Sequence, residues 1–238
     1  MKRPAILDPR HVPLDPSDLQ DAPALPPDRL TIDALRKRFA RPGHWSPEFV
    51  DDSFRLGDAP VRAAAVLVPL VERPEGVNLF LTLRSETLSN HGGQVAFPGG
   101  RVDDSDASLA DAALRETREE IGIAPSAIEV LGELPVYRTG TGYAVTPVVG
   151  LVDPVITADS LVLQPAEVAD AFEVPLTFLM DPSNHQRRLF RWHQDGQEHE
   201  RRFFTMPWRP DPARDREYFI WGATAAMLRN LYRFLAAR

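Results

Sequence analysis

The chain has 238 residues, of which 43% are apolar, and this supply is enough for the core of a single α/β domain with extensions. It contains no cysteine, which excludes disulfides, a thiolate metal site and a cysteine nucleophile. Because the formal net charge is −7 and no apolar run suits a membrane span or a signal peptide, we expect a cytoplasmic protein that binds neither nucleic acid nor membrane.

The N-terminal part combines a proline-rich arm with the first predicted elements. Residues 1–30 are rich in Pro and Asp and lack periodicity, which is typical of an arm that lies on the surface or is disordered. Residues 31–238 are predicted to form one domain. Its first elements are a helix over Leu30–Ala40 and strands at Arg62–Val71, Val77–Leu83 and Gln94–Phe97.

A central helix is predicted over Ser108–Ile121, with Asp106 or Ser108 as its N-cap and Gly122 as its C-terminal stop. The elements after it follow from apolar periodicity and turn residues. They are strands at Ile128–Tyr137 and Tyr143–Val152, short helices at Glu167–Ala171 and Pro175–Met180, a hairpin of Arg187–His193 and Glu200–Met206, a strand at Tyr218–Trp221 and a helix over Gly222–Ala236. The hairpin and last helix form a C-terminal extension of the domain.

The C-terminal part is basic, with eleven arginines and six acidic residues between Arg187 and Arg238. A solvated surface is the favoured interpretation of these charges, and phosphate binding is the alternative. The same part supplies candidate apolar surface for a substrate at Phe203, Phe204, Trp208 and Trp221.

Three glutamates define the most informative feature of the central helix. Glu116, Glu119 and Glu120 fall at i, i+3 and i+4, so their carboxylates share one helical face. Like charges at this spacing repel, and a hard divalent cation such as Mg²⁺ or Mn²⁺ would stabilise them. The alternative is a solvated face with ion pairs to Arg115 and Arg118.

The string from Arg115 to Ile123, RETREEIGI, resembles the signature of Nudix hydrolases, G-x5-E-x7-R-E-U-x-E-E-x-G-U with U apolar. The front half departs from that pattern, because Asp106 or, in strict register, Ala107 stands where the family has its first glutamate. In the family this glutamate braces the signature arginine. We expect the shorter Asp106, on a loop that is one residue longer, to reach Arg115.

A second motif lies upstream. Residues Phe80–Ser85, then Gly93 and Phe97–Gly100, are similar to L-L-T-x-R-S-x3-R-x3-G-x3-F-P-G-G, which marks the coenzyme A pyrophosphatase branch of the family. Ser89 stands where an arginine is usual, and His91 is the nearby candidate to substitute for it.

The resemblance implies a Nudix fold, an α/β/α sandwich with a mixed β-sheet, and hydrolysis of coenzyme A or its derivatives to 3′,5′-ADP and 4′-phosphopantetheine. The small-molecule substrate would be the partner, and a homodimer stays open. The resemblance also implies roles for individual residues. Metal binding would fall to Glu116, Glu119, Glu120 and the carbonyl of Gly99 or Gly100, and Arg115 would position this cluster. Proton transfer would fall to a signature glutamate or Glu167, and substrate binding to Arg84, Ser85 and His91.

Two other functions are compatible with the sequence. The chain could hydrolyse ADP-ribose, NADH or another nucleotide, as the change at Ser89 suggests. It could also be a non-catalytic binding protein on the same scaffold, which the intact glutamates disfavour.

Overall fold

The computed structural model describes residues 6, 8–17, 22–52, 60–88, 91–194, 196–211 and 216–237. In these residues the α-helices are α1 (Ile32–Ala40), α2 (Leu109–Ile121), α3 (Leu176–Leu179) and α4 (Gly222–Ala236). The strands are β1 (Arg62–Arg73), β2 (Gly76–Arg84), β3 (Val95–Ala96), β4 (Gly99–Arg101), β5 (Ile128–Glu133), β6 (Tyr137–Arg138), β7 (Tyr143–Val152), β8 (Val168–Pro175), β9 (Gln186–Gln194), β10 (Gln197–Trp208) and β11 (Tyr218–Trp221).

The larger sheet is built around β1. This strand runs parallel to β7 and antiparallel to β2 and β4, which pair with its opposite ends. Strands β5 and β6 pair with β7, and strands β3 and β8 pair with β2, all antiparallel. The sheet is therefore mixed, and β4 brings the Gly99–Arg101 backbone next to β1.

Both faces of this sheet are covered, since alternate side chains of β1 enter different apolar clusters. Ala65 and Leu67 pack with the alanines of α2, whereas Val68 and Leu70 belong to the larger core that includes α4. The predicted α/β/α arrangement with a mixed sheet is confirmed.

Helix α2 begins and ends at residues suited to those positions. The Ser108 hydroxyl accepts the Asp111 amide at 3.1 Å, and Gly122 adopts φ 77° and donates its N–H to the Arg118 carbonyl. The predicted N-cap at Ser108 and stop at Gly122 are confirmed. Asp106 serves a different purpose, described below.

The smaller sheet has the order β11-β10-β9. Its two longest strands form the predicted hairpin, with longer arms than the sequence indicates. Asp195 in the predicted turn lies outside the described residues. The strand at Tyr218–Trp221 and the helix at Gly222–Ala236 are confirmed.

Two predicted elements are wrong. Residues 167–171 do not form a helix, because β8 begins at Val168 and pairs with β2. The predicted strand Ile128–Tyr137 divides into β5 and β6, and its ladder with β7 shifts register between Val130 and Gly132.

The N-terminal arm lies on the surface of the domain wherever it is described. The Asp15 amide donates to the Arg187 carbonyl at 2.8 Å, and the Leu25 amide donates to the Met180 carbonyl at 3.1 Å. Val12 and Leu25 are buried. Residues 1–5, 7 and 18–21 of the predicted arm lie outside the described residues.

Candidate active site

The glutamates of α2 differ strongly in exposure, although they share one face of the helix. The side chain of Glu120 is 3% exposed, that of Glu116 is 17% exposed and that of Glu119 is 59% exposed. Because the interior does not solvate a charge, the buried carboxylates need donors from the protein.

Glu120 is held between two segments of the upstream motif. Its Oε2 accepts the Gly99 amide at 3.0 Å, and its Oε1 lies 3.6 Å from Nη1 of Arg84. Burial raises the pKa of Glu120 to about 7, against the opposing effects of Gly99 and Arg84. The negative charges of Glu167 and Glu116 raise this pKa further, so the carboxylates are mutually repulsive.

Arg115 neutralises much of the remaining charge. Its Nε and Nη2 donate to both oxygens of Asp106, at 2.9 and 3.0 Å, in a bidentate pair. Its Nη1 lies 2.9 Å from Oε1 of Glu116 and 3.2 Å from Oε2 of Glu119, and Nη2 also donates to the Arg101 carbonyl. Asp106 therefore reaches Arg115 as expected, and the hydrogen bonds from Arg115 lower the pKa of Asp106.

Gly100 makes room for Glu116. A Cβ at this position would lie 2.6 Å from the Glu116 carboxylate, so a larger residue would push that side chain away. Burial raises the pKa of Glu116, and Arg115 opposes that shift.

Glu167 lies in the turn that precedes β8 rather than in a helix. Its amide donates to the Gln164 carbonyl, and its own carbonyl accepts the Ser85 amide at 2.8 Å. The side chain is exposed, yet its charge contributes to the raised pKa values of Glu116 and Glu120. The chain thus brings Glu167 near the helical glutamates although its predicted secondary structure is wrong.

The other predicted substrate-binding residues have different surroundings. Ser85 is buried, and its hydroxyl lies 2.8 Å from that of Thr87. His91 is exposed, adopts φ 61°, and places Nδ1 3.0 Å from Oε1 of Gln94. Ser89, where the motif usually has arginine, lies outside the described residues.

A cleft of about 440 Å³ runs from Arg84 and Gly99, which contact Glu120, to the C-terminal part of the chain. Arg84 and Gly99 line one part of it, and His91 lines it as well. One side of the cleft is formed by the aromatic side chains of Phe190, Trp192 and Trp221, which we call the aromatic wall. The cleft has the size of a small-ligand pocket.

The aromatic residues singled out from sequence lie mostly elsewhere. Phe203 and Phe204 are buried, and Trp208 packs against Phe178 at a centroid distance of 4.7 Å. Trp221 is the one of those four that lines the cleft.

Sequence reasoning missed Phe190 and Trp192. They alternate along β9 and so share one face of the strand, which is the signal that could have found them.

Of the nine arginines of the basic C-terminal part that the structure describes, eight are engaged in ion pairs, as the solvated-surface interpretation requires. The pairs join Arg187 and Arg202 to Asp15, Arg191 to Glu198 and Glu200, Arg201 to Asp52, Arg209 to Glu217, Arg216 to Asp170, and Arg229 and Arg233 to Glu48.

The glutamates of α2 have the ligand chemistry that a hard divalent cation requires, although they do not form a preorganised coordination site. Among the described residues no three His, Cys, Asp or Glu side chains are already arranged to hold a metal ion, and Arg115 binds two of the candidate carboxylates. Carboxylate oxygens are nevertheless the ligands that Mg²⁺ and Mn²⁺ prefer, and the space beside Gly100 admits the Glu116 carboxylate. The donor set fits such an ion.

Comparison with known proteins identifies the family. The NUDIX domain family model matches residues 61–194, which include β1, α2 and every predicted ligand. The chain belongs to the Nudix family. Proteins named uncharacterized Nudix hydrolase NudL are similar to it: that of Cronobacter sakazakii is 45% identical over 71% of this chain and 81% of its own length. That of Klebsiella pneumoniae is 42% identical over 74% of this chain and 84% of its own length.

Among solved structures, the Nudix hydrolase RenU of M. smegmatis is 23% identical over 50% of this chain and 73% of its own, with a TM-score of 0.42. The predictions that the chain is a Nudix family member and a Nudix hydrolase are confirmed. No helix in the described ranges combines the length and apolar character that a membrane crossing requires.

Proposed function

We propose that this Nudix hydrolase cleaves the diphosphate of coenzyme A or its derivatives, giving 3′,5′-ADP and 4′-phosphopantetheine. One observation carries the proposal: the upstream motif and the helical glutamates meet, with Arg84 3.6 Å from Glu120 and Arg84 lining the cleft. A cation beside a carboxylate cluster suits a substrate whose phosphates must be both bound and hydrolysed.

Glu116, Glu119 and Glu120, with the carbonyl of Gly100, would hold Mg²⁺ or Mn²⁺. When bound, such an ion neutralises the diphosphate and lowers the pKa of a coordinated water.

The chain's own residues then have separate tasks. Arg84 donates hydrogen bonds to a phosphate oxygen, and Arg115 keeps Glu116 and Glu119 in place through its pair with Asp106. A carboxylate accepts the proton of the attacking water while the P–O bond to the leaving phosphate breaks. Glu119 and Glu167 are the exposed candidates for this base.

The proposal is tested by measuring kcat/KM for coenzyme A, ADP-ribose and NADH, each with Mg²⁺, with Mn²⁺ and with chelator. We expect metal-dependent hydrolysis with coenzyme A as the best substrate. Preference for ADP-ribose or NADH would replace the proposal with the second function considered above, and the absence of hydrolysis of any compound would overturn it.

A matched pair of variants tests Arg84. Arg84→Ala should lower kcat/KM for coenzyme A about 10- to 100-fold, through the loss of a charged hydrogen bond. Arg36→Ala removes an arginine that pairs with Glu129 away from the cleft, and should leave kcat/KM unchanged. An equal effect of both changes would contradict a role of Arg84 in substrate binding.

We predict a cytoplasmic location and a single domain over residues 31–238. The sequence is also compatible with a homodimer.

A further inference from the structure

The aromatic wall joins the end of the part of the chain that the family model matches to the segment that follows it. Phe190 and Trp192 lie on β9, near the end of the matched range, and Trp221 lies beyond it. Together with Met227 of α4 they give the cleft an apolar side, while Arg84 lines the part that adjoins Glu120. A substrate bound by its phosphates at Arg84 would therefore present one of its two halves to aromatic side chains.

The two rings on β9 are arranged as a wall rather than as a slot for a base. Trp192 is nearly parallel to Phe190, at 5.6 Å and 23°, and to His199, at 5.3 Å and 17°. These contacts use ring surface that a purine would need for stacking. A flexible chain whose methyl and methylene groups alternate with amides, such as pantetheine, needs contact with side-chain surface and does not need a free ring face.

The cationic side chain near the aromatic wall, Arg201, is already paired with a carboxylate. Arg201 lines the cleft, and its Nη2 lies 3.5 Å from Oδ1 of Asp52. Asp52 also accepts the Tyr137 hydroxyl and the Gly140 amide, each at 2.6 Å. A cation balanced by a carboxylate does not favour the 3′-phosphate of the nucleotide here.

We propose that the aromatic wall is the subsite for the pantetheine arm of the substrate, and that Trp192 is a specificity-determining residue for this arm. The inference rests on the proposed function, because it assigns one half of the proposed substrate to one side of the cleft.

A comparison of two substrates measures the contribution of the pantetheine arm separately from that of the ADP half. In 3′-dephospho-coenzyme A and ADP-ribose the ADP half is the same, and the group joined to it is pantetheine in one and ribose in the other. We expect wild-type protein to favour 3′-dephospho-coenzyme A in kcat/KM, and Trp192→Ala to reduce that preference about tenfold. Trp192→Phe should retain most of the preference. His193→Ala, a change of the exposed neighbour on the same strand, should leave it unchanged.

Product inhibition separates a local effect from misfolding. In Trp192→Ala, inhibition by 4′-phosphopantetheine should weaken about tenfold, whereas inhibition by 3′,5′-ADP should not change. Equal ratios in wild type and Trp192→Ala, or weaker inhibition by 3′,5′-ADP alone, would overturn the assignment of the wall to the arm.

The two proposals fail in distinguishable ways. If the wild-type protein hydrolyses neither coenzyme A nor 3′-dephospho-coenzyme A, the proposed function is wrong, and calorimetric binding of 4′-phosphopantetheine then tests the wall separately. Binding that weakens in Trp192→Ala would support the subsite, and no binding by the wild-type protein would overturn it.

Discussion

At the scale of single residues, the assignment of Glu120 as a metal ligand can be tested without disturbing the fold. Its Oε2 accepts the Gly99 amide, and a glutamine oxygen can accept the same hydrogen bond. Glu120→Gln should therefore stay folded but lose a negative metal ligand, with kcat/KM falling roughly 100-fold or more. Enzyme kinetics at limiting Mg²⁺, with a melting curve, measure both effects.

The matched control is Glu129→Gln. Glu129 is a half-exposed glutamate of β5 that pairs with Arg36, so its loss should leave kcat/KM unchanged. Normal activity of Glu120→Gln would contradict the metal-ligand assignment.

Asp106 gives a second test at this scale, because its role is to position Arg115. Its side chain is 4% exposed and binds Arg115 through both oxygens. Asp106→Ala should free Arg115 and lower metal affinity or kcat/KM about 10- to 100-fold. Asp104→Ala, in the same loop but exposed, should not. Identical kinetics of the two variants would show that Arg115 needs no support from Asp106.

The residues of the helical cluster could be predicted because their spacing is local. Glu116, Glu119 and Glu120 lie within two turns of one helix, and helical geometry alone places them on one face. The alternation of Phe190 and Trp192 along β9 could have shown that the two rings share one face of the strand. Their place in the cleft could not be predicted, because it depends on how the smaller sheet packs against the larger one. No local pattern encodes that packing.

At the scale of elements, β8 shows why the predicted helix at 167–171 is wrong. Val168, Phe172 and Val174 are buried, whereas Ala169 between them is exposed. The short charged segment has no strong local preference, and pairing with β2 over residues 78–84 decides its conformation. The same pairing brings Glu167 to Ser85 and hence to the active site.

The contact between the arm and the smaller sheet predicts a pH dependence of stability. Hydrogen bonds from Ser17, together with Arg202 and Arg187, lower the pKa of Asp15 from its usual 3.8 to about 2. A lowered folded-state pKa stabilises the protein above the unfolded-state value, and this contribution is lost as the pH falls from about 4 to about 2.

Asp15→Asn should therefore lower Tm at about pH 7, and the difference from wild type should shrink as the pH approaches 2. Thermal unfolding of both proteins across this pH range measures the difference. Asp33→Asn, a change of an 84% exposed carboxylate on α1, should have little effect at any pH. A Tm difference for Asp15→Asn that is independent of pH would show that packing, rather than charge, holds the arm.

At the scale of the whole molecule, the larger sheet supplies the chemistry and the smaller sheet completes the cleft. The mixed sheet and α2 could be predicted from the two sequence motifs, whereas β4 could not, because the strand predicted from sequence ends at Phe97. The cleft requires in addition β9, β11 and α4, which carry no motif of their own and, except for β9, lie beyond residues 61–194. This division predicts that changes in the aromatic wall alter substrate choice, while changes in α2 alter the reaction itself.

The proposed hydrolysis of the coenzyme A diphosphate is tested most directly by product analysis after the wild-type protein acts on coenzyme A in ¹⁸O-labelled water with Mg²⁺. Hydrolysis of the diphosphate should give 3′,5′-ADP and 4′-phosphopantetheine in equal amounts, with ¹⁸O in the 5′-phosphate of the first or in the phosphate of the second, and chelator should abolish both products. Release of free phosphate or of the thiol arm without its phosphate, or formation of the same products in the presence of chelator, would contradict it.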